Sequence, residues 1–166
     1  MIYRMLLVIF GTTAVACGIL VVSSNISGKN LNYNYFHIEH EHALNSQLEV
    51  SVLHEFSDFE NLLSFEHYNE VIDSLARENE SFFKYDEKYF EQKAIILVEH
   101  LLTDEFVRFE LKDVTRLDNE ITVSLYRIHP YGGAGDVVRG TAFFFIEVYK
   151  NDIIDSTINV NISFPS

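Results

Sequence analysis

Val107-Arg108-Phe109-Glu110-Leu111-Lys112, then Leu117-Asp118-Asn119-Glu120, then Ile121-Thr122-Val123-Ser124-Leu125-Tyr126-Arg127-Ile128, is the stretch that decides the fold class. Val107, Phe109 and Leu111 alternate with Arg108, Glu110 and Lys112, the period of a strand with one buried face. Leu117-Asp118-Asn119-Glu120 is turn chemistry, so the second apolar run folds back beside the first as a hairpin.

Outward from the hairpin, the same reading extends in both directions. Ala94 to Val98 and Ala142 to Tyr149 are apolar on both faces, as central strands are. Ile158, Val160, Ile162 and Phe164 close the chain in clean alternation. Upstream, Leu48, Val50, Val52, His54 and Phe56 share one face of a strand over Gln47–Phe56, with Glu49, Ser51 and Glu55 on the other. Tyr33 to His40 forms a first strand. A helix is expected to start at Ser57, where Ser57-Asp58-Phe59-Glu60 reads as a capping box. Phe59, Leu62 and Leu63 make one stripe, whereas Tyr68, Val71, Ile72 and Leu75 point half a turn away at about 100° per residue. One straight helix cannot bury both, so a break is expected near Ser64–His67, with the helical segment ending around Glu78. Asp86 to Phe90 adds a short helical turn. The expectation is an α+β domain: a mostly antiparallel β-sheet with one or two covering helices.

The span Tyr85–Lys150 carries a pattern of its own. It runs from Tyr85, Tyr89 and Phe90 through Lys93-Ala94-Ile95-Ile96-Leu97-Val98, the hairpin and a Gly-rich loop with Asp136, to Phe145-Ile146-Glu147-Val148-Tyr149-Lys150. This resembles small secreted or lipid-anchored bacterial proteins of unknown function, whose domain is similar to the C-terminal domain of a bacterial protease-complex subunit. The resemblance covers about half of residues 32–166. It implies a compact β-rich domain with helical cover and an interaction role in the envelope, and brings no catalytic residues. The chain departs from that pattern where its loop reads Gly132-Gly133-Ala134-Gly135-Asp136, and where Phe143 stands in place of a Trp after the Asp.

At the amino terminus, Met5 to Val22 is an almost uninterrupted apolar run, at the lower limit of about 18 residues for crossing a bilayer. Arg4 ahead of it favours a cytoplasmic amino terminus and delivery of the rest of the chain across the membrane. Three outcomes fit residues 1–22: an uncleaved membrane-anchor helix, a signal peptide cleaved after Ala14-Val15-Ala16, and a degenerate lipobox that makes Cys17 the lipid attachment site. All three place the domain outside. Residues 23–31, rich in Ser, Asn, Gly and Lys, read as a polar tether, and residues 32–166 as one extracytoplasmic domain of ordinary size. Cys17 is the only cysteine, so no intrachain disulfide forms and stability rests on the core.

The chain carries 12 basic and 25 acidic residues, a net charge of −13; without Arg4 the balance is 11 against 25, or −14. That sign opposes nucleic acid and anionic headgroups. The expected partners are the membrane, through the N-terminal segment, and an envelope protein. No cofactor is expected.

Two groups of residues are candidate sites. His37-Ile38-Glu39-His40-Glu41-His42 puts His40 and His42 on one strand face and His37, Glu39 and Glu41 on the other. Paired histidines at i and i+2 bind zinc if a third ligand comes from elsewhere, which makes His37, His40 and His42 a candidate metal set. The loop containing Tyr131, Gly132, Gly133, Gly135 and Asp136 lacks the Lys-Ser/Thr and following helix of a phosphate cradle. It is a candidate contact surface, since loops on rigid sheets often carry binding. His54 is expected as a packed histidine at a sheet end; no nucleophile stands out near it. Carboxylate pairs such as Asp86/Glu87 and Asp104/Glu105 carry no acid–base assignment without geometry. The reading is a membrane-anchored, non-enzymatic binding module; the alternatives are a metal-dependent hydrolase using His37, His40 and His42, or an acidic inhibitor or immunity-type protein.

Overall fold

The computed structural model describes residues 28–40, 47–78, 85–102, 108–128 and 140–163. Strands β1 (Lys29–Asn30), β2 (Asn34–His40) and β3 (Leu48–Leu53) come first, then helices α1 (Phe56–Leu63), α2 (Glu66–Glu78) and α3 (Glu87–Gln92). Strands β4 (Lys93–Leu102), β5 (Arg108–Leu117), β6 (Glu120–Ile128) and β7 (Gly140–Tyr149) follow, and a 3-10 turn at Lys150–Asp152 leads to β8 (Thr157–Ser163). The fold is α+β and mostly antiparallel.

The strands form two sheets rather than one, in the orders β1-β5-β6-β8 and β2-β7-β4-β3. Burial of β4 and β7 on both faces explains the division. Ala94, Ile96 and Val98, with Phe144, Ile146 and Val148, pack against Val114, Ile121, Val123 and Leu125 of the other sheet. Ile95, Leu97, Phe143 and Phe145 point the opposite way, onto Phe59, Leu62, Val71 and Leu75 of the helices. The molecule is therefore three layers deep, sheet on sheet on helix. The sheet β2-β7-β4-β3 is the middle layer, and only there must a strand be apolar on both sides.

Several sequence expectations are placed differently. The hairpin turns at Asp118, whose φ of 51° is the left-handed conformation that Asp tolerates. β8, however, pairs parallel to β6, from Glu120↔Thr157 to Tyr126↔Ser163. After β7 the chain crosses between sheets and is tied at the hairpin turn: Arg116 donates to the carbonyls of Asp118 (2.8 Å) and Asp152 (2.7 Å), and Thr157 N–H to Asn119 O (2.8 Å). That anchorage starts β8 beside the first residue of β6, so the two run the same way.

The helical break falls where expected, with α1 ending at Leu63 and α2 starting at Glu66. The cap of α1 does not involve Ser57. Asp58 Oδ2 instead accepts from the backbone N–H groups of His54 (2.8 Å) and Glu55 (3.0 Å), and Glu55 is the N-cap. Phe56 turns inward against the helix-side core and draws the helix start back one residue. The preceding strand ends at Leu53, which leaves His54 exposed rather than packed. Lys29 and Asn30, read as tether, pair with Arg116 and Thr115 of β5, and Leu31 is buried.

Residues 1–27 lie outside the described residues, so the anchor, Cys17 and most of the tether do too. Among the described residues no helix is long and apolar enough to cross a membrane.

Candidate functional site

A polar network sits at the end of the middle sheet where β4 begins and β7 ends. Asp86 accepts from Tyr89 N–H (2.8 Å) and caps α3, which places Tyr85 just before the helix and Tyr89 in its first turn. The two rings stand 4.7 Å apart. Tyr85 Oη donates to Glu147 Oε1 at 2.9 Å, and Lys93 Nζ lies 3.5 Å from Glu147 Oε2. Lys93 and Glu147 come from neighbouring strands, and Glu147 is only 8% exposed. The Lys93 ammonium also lies over the rings of Tyr89 (5.5 Å) and Tyr149 (5.8 Å).

A carboxylate inside a strand apolar on both faces must find partners, because burying an unpaired charge is costly. Lys93 supplies the charge and Tyr85 the hydrogen bond. Burial, and after it the Glu147 charge, push the Tyr85 and Tyr89 hydroxyls well above the ordinary phenol range. Both remain neutral hydroxyl groups, suited to hydrogen bonding and not to nucleophilic attack.

Beside this network lies an open groove of about 830 Å³. Tyr33, Asn34, Tyr35 and Phe36 line it at the start of β2, with Tyr89, Lys93 and Glu147 opposite. Its volume is within the range of small-molecule sites, roughly 300–1,000 Å³. The Tyr89 hydroxyl is buried and meets no hydrogen-bond partner among the described residues.

The candidate metal residues behave differently. His37 stacks on Phe144 between the sheets, with ring centroids 4.4 Å apart. His40 points to the helices, its Nε2 3.4 Å from Glu70. They occupy opposite faces of β2, as its alternation requires, and His42 lies outside the described residues. Among the described residues no three His, Cys, Asp or Glu side chains are placed to hold a metal ion. His37 instead joins a polar group at the far end of the sandwich. There Glu39 meets Arg108 of the opposite sheet at 3.1 Å, and His100 packs against Phe109 at 4.3 Å. Burial, with Arg108 near His37 and Arg127 near His100, lowers both histidines below their usual range and keeps them neutral.

The loop with Tyr131, Gly132, Gly133, Gly135 and Asp136 lies outside the described residues. Its flanking residues, Ile128 and Gly140, stand at the histidine end, since Ile128 pairs with Arg108 and Gly140 with Leu102. A second buried carboxylate, Glu99, is 1% exposed beneath α2 and accepts from Tyr68 Oη at 2.8 Å. Burial raises its pKa, and Glu49 directly across on β3 adds to the rise.

Sequence reasoning quoted Tyr85, Tyr89, Lys93, Glu147 and Tyr149 without assigning them a site. The signal was present as Glu147 and Glu99, lone acids within the apolar runs of β7 and β4. No protein-family model, curated protein or solved structure matches the chain.

Proposed function

We propose that this protein is a non-enzymatic binding module of the cell envelope, held on the extracytoplasmic side by its N-terminal apolar segment. The Tyr85–Glu147–Lys93 network carries the reading. It uses a buried carboxylate paired with a partly exposed lysine, and the ring of Tyr89, to build one wall of an open groove, at a place where the core could have been closed with apolar side chains. Rigid walls of this kind lower the ordering cost of binding. The phenols are held protonated and the lysine is paired with a carboxylate, so the groove offers recognition rather than a reactive group. The resemblance of Tyr85–Lys150 to small exported proteins supports the same reading, as does the apolar run Met5–Val22.

A photo-crosslinking side chain in place of Tyr35, in the full-length chain in its native cell, tests it. A discrete adduct at Tyr35, absent when the crosslinker replaces the exposed Lys112 of the other sheet, is the expected result. Identical patterns at both positions would count against the groove as a binding site.

A further inference from the structure

The geometry points to a neutral saccharide chain as the ligand of this groove, an assignment that rests on the binding-module reading. Among the described lining residues the two charges are paired, Lys93 with Glu147 at 3.5 Å, and the nearby Asp113 acts on Tyr33 from outside the lining. This neutrality stands out in a chain of net charge −13. What remains for recognition is tyrosine and amide chemistry. Tyr35, 42% exposed, and the half-buried Tyr33 present flat apolar rings with polar tips at the rim. A sugar ring has the matching combination, a flat C–H face edged by hydroxyls.

The walls supply the polar half of the match. Tyr89 backs the wall with its ring while its hydroxyl is sealed from solvent, so the polar contact falls to the strand opposite. Asn34 adds an exposed amide, which both donates and accepts, as paired sugar hydroxyls require. The groove is open rather than enclosed and holds about 830 Å³, so the ligand is an internal stretch of a chain and not a sealed monosaccharide. Few polar groups fixing orientation against aromatic surface is the general pattern of small-ligand sites.

Calorimetric titration of the full-length chain tests the assignment, in a detergent without a sugar headgroup. The probes are neutral oligosaccharides of β-1,4-linked glucose, β-1,4-linked N-acetylglucosamine and α-1,4-linked glucose. Saturable binding of at least one series is expected. Tyr35→Ala should weaken it by about tenfold or more without lowering the thermal midpoint, and Asn34→Ala, which removes the exposed amide, should also weaken it. Binding indifferent to both substitutions overturns the assignment. If no oligosaccharide binds but Tyr35 crosslinks specifically to a polypeptide, the saccharide assignment falls and the binding module stands. If neither occurs, both fall.

Discussion

Glu147 and Glu99 are carboxylates placed where the chain is otherwise apolar, and their partners differ, Glu99 Oε2 having none among the described residues. Glu147 has a cation, Lys93, at 3.5 Å, whereas Glu99 has a phenol at 2.8 Å and a like charge, Glu49, across the strand pair. Replacing Lys93 with Met removes the compensating charge from a carboxylate only 9% exposed. We expect a loss of about 1–3 kcal/mol, read from urea unfolding; the partial exposure of Lys93 holds the cost below that of a fully buried pair. Tyr85→Phe should cost about 1–2 kcal/mol by the same measurement.

Glu99 carries a dependence on pH. Its folded pKa is raised, chiefly by burial, above the ordinary value of 4.5. The folded state therefore favours the protonated carboxyl, and that stabilisation is complete below the unfolded value and lost as pH rises through the folded one. Glu99→Gln mimics the protonated form and still accepts from Tyr68. The variant should unfold at a higher temperature than the parent at neutral pH, with the gap closing toward pH 4.5. A constant gap across that window would show that Glu99 titrates normally.

At the scale of elements, the start of α1 separates two readings of one segment. Ser57-Asp58-Phe59-Glu60 has the spacing of a capping box, yet the structure uses Glu55 and Asp58. Asp58→Ala should cost about 1 kcal/mol, because it strips the acceptor from two backbone N–H groups. Ser57→Ala, at an exposed position, should stay within about 0.5 kcal/mol of the parent. Thermal midpoints of the two variants decide which cap is used. The break between α1 and α2 was legible because Phe59 and Leu62 cannot share one helical face with Val71 and Leu75. The cap was not, because a box two residues earlier becomes favourable only once Phe56 is drawn into the core.

Across the whole molecule, three consecutive phenylalanines of β7 hold the layers together. Phe144 packs between the sheets, while Phe143 and Phe145 pack beneath the helices, and all three are fully buried. Phe143→Ala and Phe144→Ala empty different cores through one strand. Each should cost about 3–5 kcal/mol and leave a single transition, with circular dichroism and tyrosine fluorescence coincident in urea. Separate transitions would mean that the helical layer and the sandwich unfold independently.

Strand alternation, the doubly apolar runs and the turn at Asp118 are properties of neighbours along the chain, so the α+β class and every described strand except β1, which reads as tether, could be read directly from the residues. The division into two sheets, the parallel β8 and the tyrosine groove depend on contacts between distant residues. Tyr85 reaches Glu147 across 62 positions, and Arg116 reaches Asp152 across 36. Period and propensity record which face of a strand is apolar, but not which surface will cover it. That choice is made when a buried carboxylate such as Glu147, or a half-buried guanidinium such as Arg116, meets groups able to satisfy it, and such a meeting exists only in the folded chain.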